Sequence, residues 1–364
     1  MAVAGWAEED GRRSRNGGGV PFKAEILCCM LRRYYLRRSF RCGVGIYHAD
    51  KRAFDINSGN NKIIIMSQDN IVEVEAEASC CCASCGKAEI DDVKLVSCDG
   101  CDLVRYCSDE CQEDHKSEHE EACKKRAAEL RDELLFKQPQ STHLGDCPIC
   151  SLPLPIDKSK SVMMACCSKL ICAGCDYANQ KREAEMRLQR HSCPFCRQPV
   201  PNTKEEAFKQ NMKRVEMNDP AALCLEGVSQ CKKGDYIAAF EYFKKAANLG
   251  NVEAHYHLAV LYHEGQGVEK DEGKAIQHTE EASIGGHPLA RCRLGVYENR
   301  NGNNERAVKH LIIAATQGED VSIKKLTTLY KRGLVSKEDL TATLRAHKAA
   351  VDGTKSRQRK AAEN

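Results

Sequence analysis

Aromatic side chains are scarce here, 5% of 364 residues with one tryptophan, which argues against a large aromatic-rich core and for small modules or helical repeats. Charge of one sign is also missing. Lys and Arg number 55 against 52 Asp and Glu, a net +3, which excludes a chain-wide electrostatic footprint for nucleic acid or an anionic membrane. No apolar run approaches the ~20 residues a membrane span needs. The longest candidate, Ile26 to Leu31, is short and is followed by Arg32 and Arg33. The opening MAVAGWAEEDGRR has no apolar h-region and carries Glu8, Glu9 and Asp10, so a secretory signal is not expected. At roughly 100–200 residues per domain, the length predicts about two to four domains.

Cysteine is what the chain has in excess. Of 23 cysteines, 17 fall between Cys80 and Cys196, many as C-x2-C pairs. Without a secretory signal this pattern predicts thiolates on metal in a reducing compartment, cytoplasmic or nuclear, and not a disulfide framework.

Residues 1–79 read as a disordered basic extension, with eleven Lys/Arg against Glu25 and Asp50 between Gly11 and Arg52. A nucleic-acid arm, an import signal or a membrane-surface patch would carry the same charge. Cys28, Cys29 and Cys42 have no ligand-like neighbours. A first Cys-rich module spans 80–123 and runs into a helical linker, 124–140, where Ala127, Leu130, Leu134 and Leu135 keep helical spacing until Pro139. A second module covers 141–200, and a charged connector, 201–217, predicts a surface helix ended by Pro220.

From Ala221 the texture changes. KAANLG, EASIGG and IAATQG align Ala246, Ala282 and Ala314, and Gly250, Gly286 and Gly318, at spacings of 36 and 32. AHYHLAVLY (Ala254 to Tyr262) and LARCRLGVY (Leu289 to Tyr297) repeat as well, with AALCLEGV (Ala221 to Val228) a weaker first copy. Each unit is helix, Gly-rich turn, helix, and such units must stack into an all-α solenoid over 218–345. A polar tail, 346–364, should fray at its end. These repeats resemble the Sel-1-like repeat, a relative of the tetratricopeptide repeat, over about residues 219–322. The resemblance implies a concave protein-binding surface that would carry a substrate or client.

The first Cys-rich block reads Cys82-x2-Cys85, Cys98-x2-Cys101, Cys107-x3-Cys111, His119-x3-Cys123. Eight ligands make two tetrahedral sites, and Gln112 to Cys123 has so little apolar surface that only metal could organise it. CDLVRYCSDECQ and its flanks look like the MYND-type zinc finger. The resemblance implies one zinc on Cys82, Cys85, Cys107 and Cys111, a second on Cys98, Cys101, His119 and Cys123, and binding of short proline-containing peptides. Cys80 and Cys81 crowd the first ligand, and Lys116 stands where the family often has an aromatic. The remaining modules leave no room for a methyltransferase domain of the kind some MYND proteins carry.

The second block reads Cys147-Pro-Ile-Cys150, then ACCSKLICAGC (Ala165 to Cys175), then Cys193-Pro-Phe-Cys196-Arg197. This resembles a RING-type finger. The resemblance implies one site from Cys147, Cys150, Cys172 and Cys175 and a second from Cys167, Cys193, Cys196 and a fourth ligand. The usual histidine position holds Lys169, which cannot ligate while protonated. Cys166 and His191 compete for the place, with Cys166 preferred because adjacent thiolates need only local backbone adjustment. RING fingers recruit a ubiquitin-conjugating enzyme. By that resemblance Ile149 and Pro194 make the apolar contact, Tyr177 stands in for the missing tryptophan anchor, and Arg197 is the linchpin that holds the thioester in a reactive pose.

The fold class expected is therefore small zinc-stabilised α+β fingers, MYND-like and cross-braced RING-like, followed by an all-α repeat solenoid, with four zinc ions in all. The expected function is a RING-type ubiquitin ligase whose repeats bind substrate. A non-catalytic zinc-finger and repeat scaffold is the alternative, and a nucleic-acid regulator would rest on the basic arm alone.

Overall fold

The computed structural model describes residues 54–57, 62–67, 70–75, 81–89, 93–188 and 190–363, which fall in two compact units, 1–131 and 132–364. The basic arm and Cys80 lie outside the described residues.

In the first unit, β1 (Phe54–Asn57), β2 (Lys62–Ser67) and β3 (Asn70–Glu75) form an antiparallel sheet in the order β1-β2-β3, with Phe54 opposite Ile65 and Ile65 opposite Val72. The reading of residues 1–79 as disordered throughout gives way here. FDIN, KIIIMS and NIVEVE are short β-rich runs separated by SGNN and QD, a strand-and-turn signal that the surrounding charge obscured. The finger that follows pairs β4 (Val96–Ser97) with β5 (Arg105–Tyr106) antiparallel. Leu95, Tyr106, Cys82, Cys98 and Cys101 are its buried centre.

Helix α1 runs unbroken from Asp109 to Phe136. The boundary expected at 123/124 thus lies inside one helix. Its charged face is held by ion pairs a turn apart, Lys116–Glu113 at 2.9 Å and Arg126–Glu129 at 3.2 Å.

The second unit begins at the end of α1. A hairpin of β6 (Ser161–Met164) and β7 (Lys169–Cys172) leads into α2 (Ala173–Glu185) around a core of Ile171, Leu154, Met164 and cysteines. The connector is α3 (Lys204–Glu216), capped by Thr203. Helices α4 (Pro220–Lys233), α5 (Tyr236–Asn248), α6 (Val252–Glu264), α7 (Glu272–Ile284), α8 (Pro288–Arg300) and α9 (Asn304–Thr316) follow as three hairpins, and α10 (Asp320–Lys331) and α11 (Lys337–Gly353) add a fourth. The aligned landmarks have structural duties. Ala246, Ala282 and Ala314 are fully buried, where any larger side chain would overpack the helix crossing. Gly250, Gly286 and Gly318 have φ of +82°, +82° and +95°, a left-handed backbone that glycine adopts without strain. The next residue in each copy, Asn251, His287 or Glu319, caps the next helix through its side chain.

The helical linker and the tail expected to fray both pack on neighbouring elements. The linker after Asp132 packs on the repeats: buried Arg291 donates to the carbonyls of Leu135 and, at 2.6 Å, Ser283. Arg306 pairs with Asp132 and with Glu298, and the rings of Phe136 and His310 lie 4.6 Å apart. At the other end, α11 continues to Gly353 and a short helix, α12 (Arg357–Ala361), packs on α2. The frayed tail of the sequence reading is corrected because buried Arg359 finds carbonyl acceptors on the second finger, Pro153 at 2.7 Å and Leu152 at 3.1 Å.

Candidate metal centres

The sixteen residues expected as ligands converge in four groups that could each hold a metal ion: Cys82, Cys85, Cys107, Cys111; Cys98, Cys101, His119, Cys123; Cys147, Cys150, Cys172, Cys175; and Cys166, Cys167, Cys193, Cys196. In each finger the first and third pairs share a group and the second and fourth share the other. This is an interleaved brace. Every cysteine here is a free thiol.

Four sulfurs about 2.3 Å from one tetrahedral ion are about 3.8 Å from each other. The structure has Cys107–Cys111 and Cys98–Cys123 at 3.7 Å, Cys150–Cys172 at 3.8 Å, Cys167–Cys193 at 3.9 Å and Cys85–Cys107 at 3.5 Å. The fit to zinc is close.

Backbone geometry says the same. The residue after the second cysteine of a C-x2-C pair is left-handed in Gly86, Asp102, Ser151 and Arg197, φ +73°, +55°, +54° and +64°. Each turns its N–H onto the carbonyl of the first cysteine, as in Ser151 to Cys147 at 2.8 Å and Arg197 to Cys193 at 2.9 Å. Non-glycine residues hold such a backbone at a cost of about 1 kcal/mol or more each, which the surrounding structure must offset. Gly100 is left small for another reason, since a Cβ there would sit 2.9 Å from Cys123 Sγ.

Electrostatics explains why a cation is needed. Burial pushes the thiols up while backbone N–H groups pull some down. The Cys82 thiol falls to about 6 under N–H groups of Cys85, Cys107 and Ser84, and Cys147 to about 7 under those of Cys172, Cys150 and Ile149. Other thiols of the clusters resist ionisation: Cys107, beside Cys85, Cys111 and Cys82, rises to about 12, Cys123, buried beside Cys98 and Cys101, to about 12, and Cys167, buried beside Cys193, to about 11. Four thiolates coexist only around a dication.

The competing ligands separate cleanly. Cys166 Sγ is 3.3 Å from Cys196 Sγ, whereas His191 is bound to buried Glu183 at 3.2 Å, and Ser192 gives Glu183 its N–H. Lys169 lies over the Phe195 ring, 5.9 Å from its centroid. In the first finger His119 Nε2 is 3.2 Å from Cys101 Sγ, and its ring stacks on His115, which takes or gives a hydrogen bond to Tyr106 at 3.1 Å. The sequence reading passed over His115, although His115 and His119 are one helical turn apart. Lys116 is exposed and paired with Glu113.

Of the residues expected to meet a conjugating enzyme, Ile149 and Tyr177 are exposed, 42% and 43%, and Arg197 is exposed. Pro194 is buried. This is a correction: the turn after Cys193 tucks the proline ring inward and leaves Phe195 on the surface at 43%.

A fifth cluster, His143, Glu253 and His287, has a different character. The two imidazoles stack at 4.2 Å with planes 12° apart, so their in-plane lone pairs run parallel and cannot meet on one ion. His287 Nδ1 accepts the N–H of Ala290, which leaves its proton on Nε2, 3.3 Å from Glu253 Oε2. His143 and Lys158 reach the same carboxylate at 3.0 and 2.5 Å. Glu253 is thus an anionic hub that joins the second finger to the repeats.

The MYND finger family matches residues 82–123, and the Sel1 repeat family matches 221–251, 252–287 and 288–319. The chain therefore carries a zinc-binding MYND finger and a Sel1 repeat solenoid. Among curated proteins, "DAP3-binding cell death enhancer 1" of Mus musculus is 26% identical over 40% of this chain and 37% of its own length. "Chitin synthase regulatory factor 4" of Schizosaccharomyces pombe is 34% identical over 24% of this chain and 14% of its own. The chain thus spans less than two fifths of the length of these relatives. Among solved structures, a Sel1 repeat protein from Oxalobacter formigenes is 28% identical, with TM-score 0.37 over 42% of this chain and 66% of that one. The antigen c5321 of uropathogenic Escherichia coli, with an SLR fold, is 22% identical, TM-score 0.34, over 43% and 34%. No described helix is long and apolar enough to cross a membrane.

Proposed function

We propose that this zinc-finger and repeat protein is a cytoplasmic or nuclear interaction scaffold whose second finger is of RING type and recruits a ubiquitin-conjugating enzyme, while the repeats hold the client. The observation that carries the reading is the interleaved brace of Cys147, Cys150, Cys172, Cys175 and Cys166, Cys167, Cys193, Cys196, with Ile149 and Phe195 exposed on the two ligand turns. In this role Ile149 and Phe195 would supply the shallow apolar contact and Arg197 would hydrogen-bond carbonyls of both enzyme and ubiquitin. Zinc supplies structure only. The name of the mouse relative, which records binding to DAP3, supports a protein-binding use of this chain.

One observation favours a purely non-catalytic scaffold. Pro194 is buried and Lys169 stands at a usual ligand position, so the contact surface departs from the RING pattern. The test is discharge of a thioester-loaded conjugating enzyme onto free lysine, with a panel of such enzymes and zinc-loaded full-length protein. Ile149→Ala should weaken recruitment. Arg197→Gly, which also relaxes the left-handed backbone, should slow discharge at saturating protein. If the wild type with full zinc accelerates no enzyme of the panel, the ligase reading falls and the adaptor stands.

A further inference from the structure

The solenoid already binds one peptide in cis, and the chemistry of that contact is visible. The last turn of α1, Asp132 to Phe136, offers the Asp132 carboxylate, the Leu135 carbonyl and the Phe136 ring. The repeats answer with Arg306 on Asp132, Arg291 on the Leu135 carbonyl, and Arg306 and His310 on the Phe136 ring.

A second surface of the same repeats has this chemistry. A groove of about 350 Å³ runs between α6, α7, α8 and α10. On α8, Leu289, Cys292, Arg293, Val296, Tyr297 and Arg300 all line it, spacings of three and four that make one stripe. Tyr256 of α6 forms the opposite wall with Arg293 over its ring, 5.8 Å from the centroid, and Lys325 of α10 closes one end. Arg293, Arg300 and Lys325 carry no ion pair among the described residues, whereas Arg306, Lys274 and Lys309 nearby are all paired. Only Glu272 brings an acid to the lining.

We propose that this groove binds an acidic segment of a partner protein, with large apolar side chains seated between Tyr256 and Val296 and carboxylates on Arg293, Arg300 and Lys325. The three unmatched cations set the charge of the ligand. The apolar floor separates a peptide from a nucleic acid, because phosphates would use the cations and leave Val296, Leu289 and Ile276 without a partner. The inference deepens the client-binding reading of the repeats and rests on it, but it does not depend on the second finger.

The experiment is fluorescence anisotropy on the full-length zinc-loaded chain with three labelled probes of about equal length: a peptide of Asp and Glu with Leu and Phe anchors, the same peptide with every acid replaced by Lys, and oligouridine. The acidic peptide should bind, more weakly as salt is raised. Arg293→Glu with Lys325→Glu should weaken it by about tenfold or more, as opposed charges become like ones, and Val296→Ser, which leaves the charge of the groove unchanged, should also weaken it. The helical signal and thermal midpoint of these variants should match wild type, and their discharge of a loaded conjugating enzyme should be unchanged. Equal binding of the Lys peptide, preference for oligouridine, or acidic-peptide binding indifferent to Arg293→Glu/Lys325→Glu would each overturn the proposal. Loss of peptide binding with discharge intact isolates the groove from the ligase reading.

Discussion

Arg359 lets the reach of the C-terminal segment into the second finger be tested with a number. Its guanidinium donates to Pro153 O and Thr354 O at 2.7 Å, to Leu152 O at 3.1 Å and to the ligand Cys150 Sγ at 3.5 Å. Arg359→Ala strips three carbonyls and one sulfur of a donor. Four bonds at a net ~0.5–1.5 kcal/mol each predict a loss of about 2–6 kcal/mol, the smaller figure applying if water enters. The loss should fall on one site. Zinc held by Cys147, Cys150, Cys172 and Cys175 should be released to a colorimetric chelator about 30-fold or more faster than from wild type, with the first finger's two ions unaffected. Gly174→Ala attacks the same contact without touching Arg359, because a Cβ there would lie 2.7 Å from the Arg359 backbone. It should raise tryptic cleavage at Lys355 and Arg357 along with zinc release. If both variants keep the wild-type release rate and protease pattern, the tail has no part in holding the finger and the reasoning is wrong.

Elemental analysis should give four zinc ions per chain, and chelation should unfold the two fingers while the repeats stay helical, since each structural site contributes roughly 10–16 kcal/mol of apparent binding energy that is also folding energy; two or fewer ions would refute this. Ala290 is fully buried between helices, so Ala290→Glu overpacks the crossing and buries a charge, costing about 3–5 kcal/mol, and an unchanged thermal midpoint by circular dichroism would show that the repeat register is misassigned. Acid should weaken the second unit. Burial lowers His287 to about 4, with His143 and Lys158 adding to the fall and Glu253 opposing it, and burial lowers His310 to about 4, with Arg291 and Arg306 adding and Glu298 and Asp132 opposing. A histidine depressed on folding contributes stability that is complete above the unfolded value, ~6.5, and is lost as pH falls toward the folded one. The Glu253 carboxyl, held down by His143, His257 and His287 against its own burial, adds a loss in the same direction below pH ~4.5. The midpoint should therefore drop between pH 7 and pH 5, and a flat profile would contradict the buried-neutral assignment.

What was legible in advance was what is local or periodic. The ligand pairs announce themselves by spacing, and Ala246, Ala282 and Ala314 with their glycines mark helix crossings and left-handed caps because a solenoid repeats one solution. What escaped depends on contacts distant in the chain. Arg359 looks like one more basic residue in GTKSRQRK until the fold brings it to Leu152 and Pro153, more than two hundred positions away. Glu253 sits in an unremarkable helix start, yet gathers His143 and Lys158 from the second Cys-rich module and His287 from the next repeat.

Pro194 shows the limit from the other side. Its place between two ligands says which turn it occupies but not which way the ring faces, and the structure turns it inward and Phe195 outward. The same turn holds Arg197 left-handed, so position 197 is under two demands, a backbone that favours glycine and a side chain that a linchpin requires. Arg197→Gly separates them. If the guanidinium is only a solvated charge, removing it relieves strain and stabilises the finger by about 1 kcal/mol with no loss of discharge. If it bridges enzyme and ubiquitin, the same variant becomes more stable and slower at once, a pair of opposite changes that a misfolded finger cannot produce.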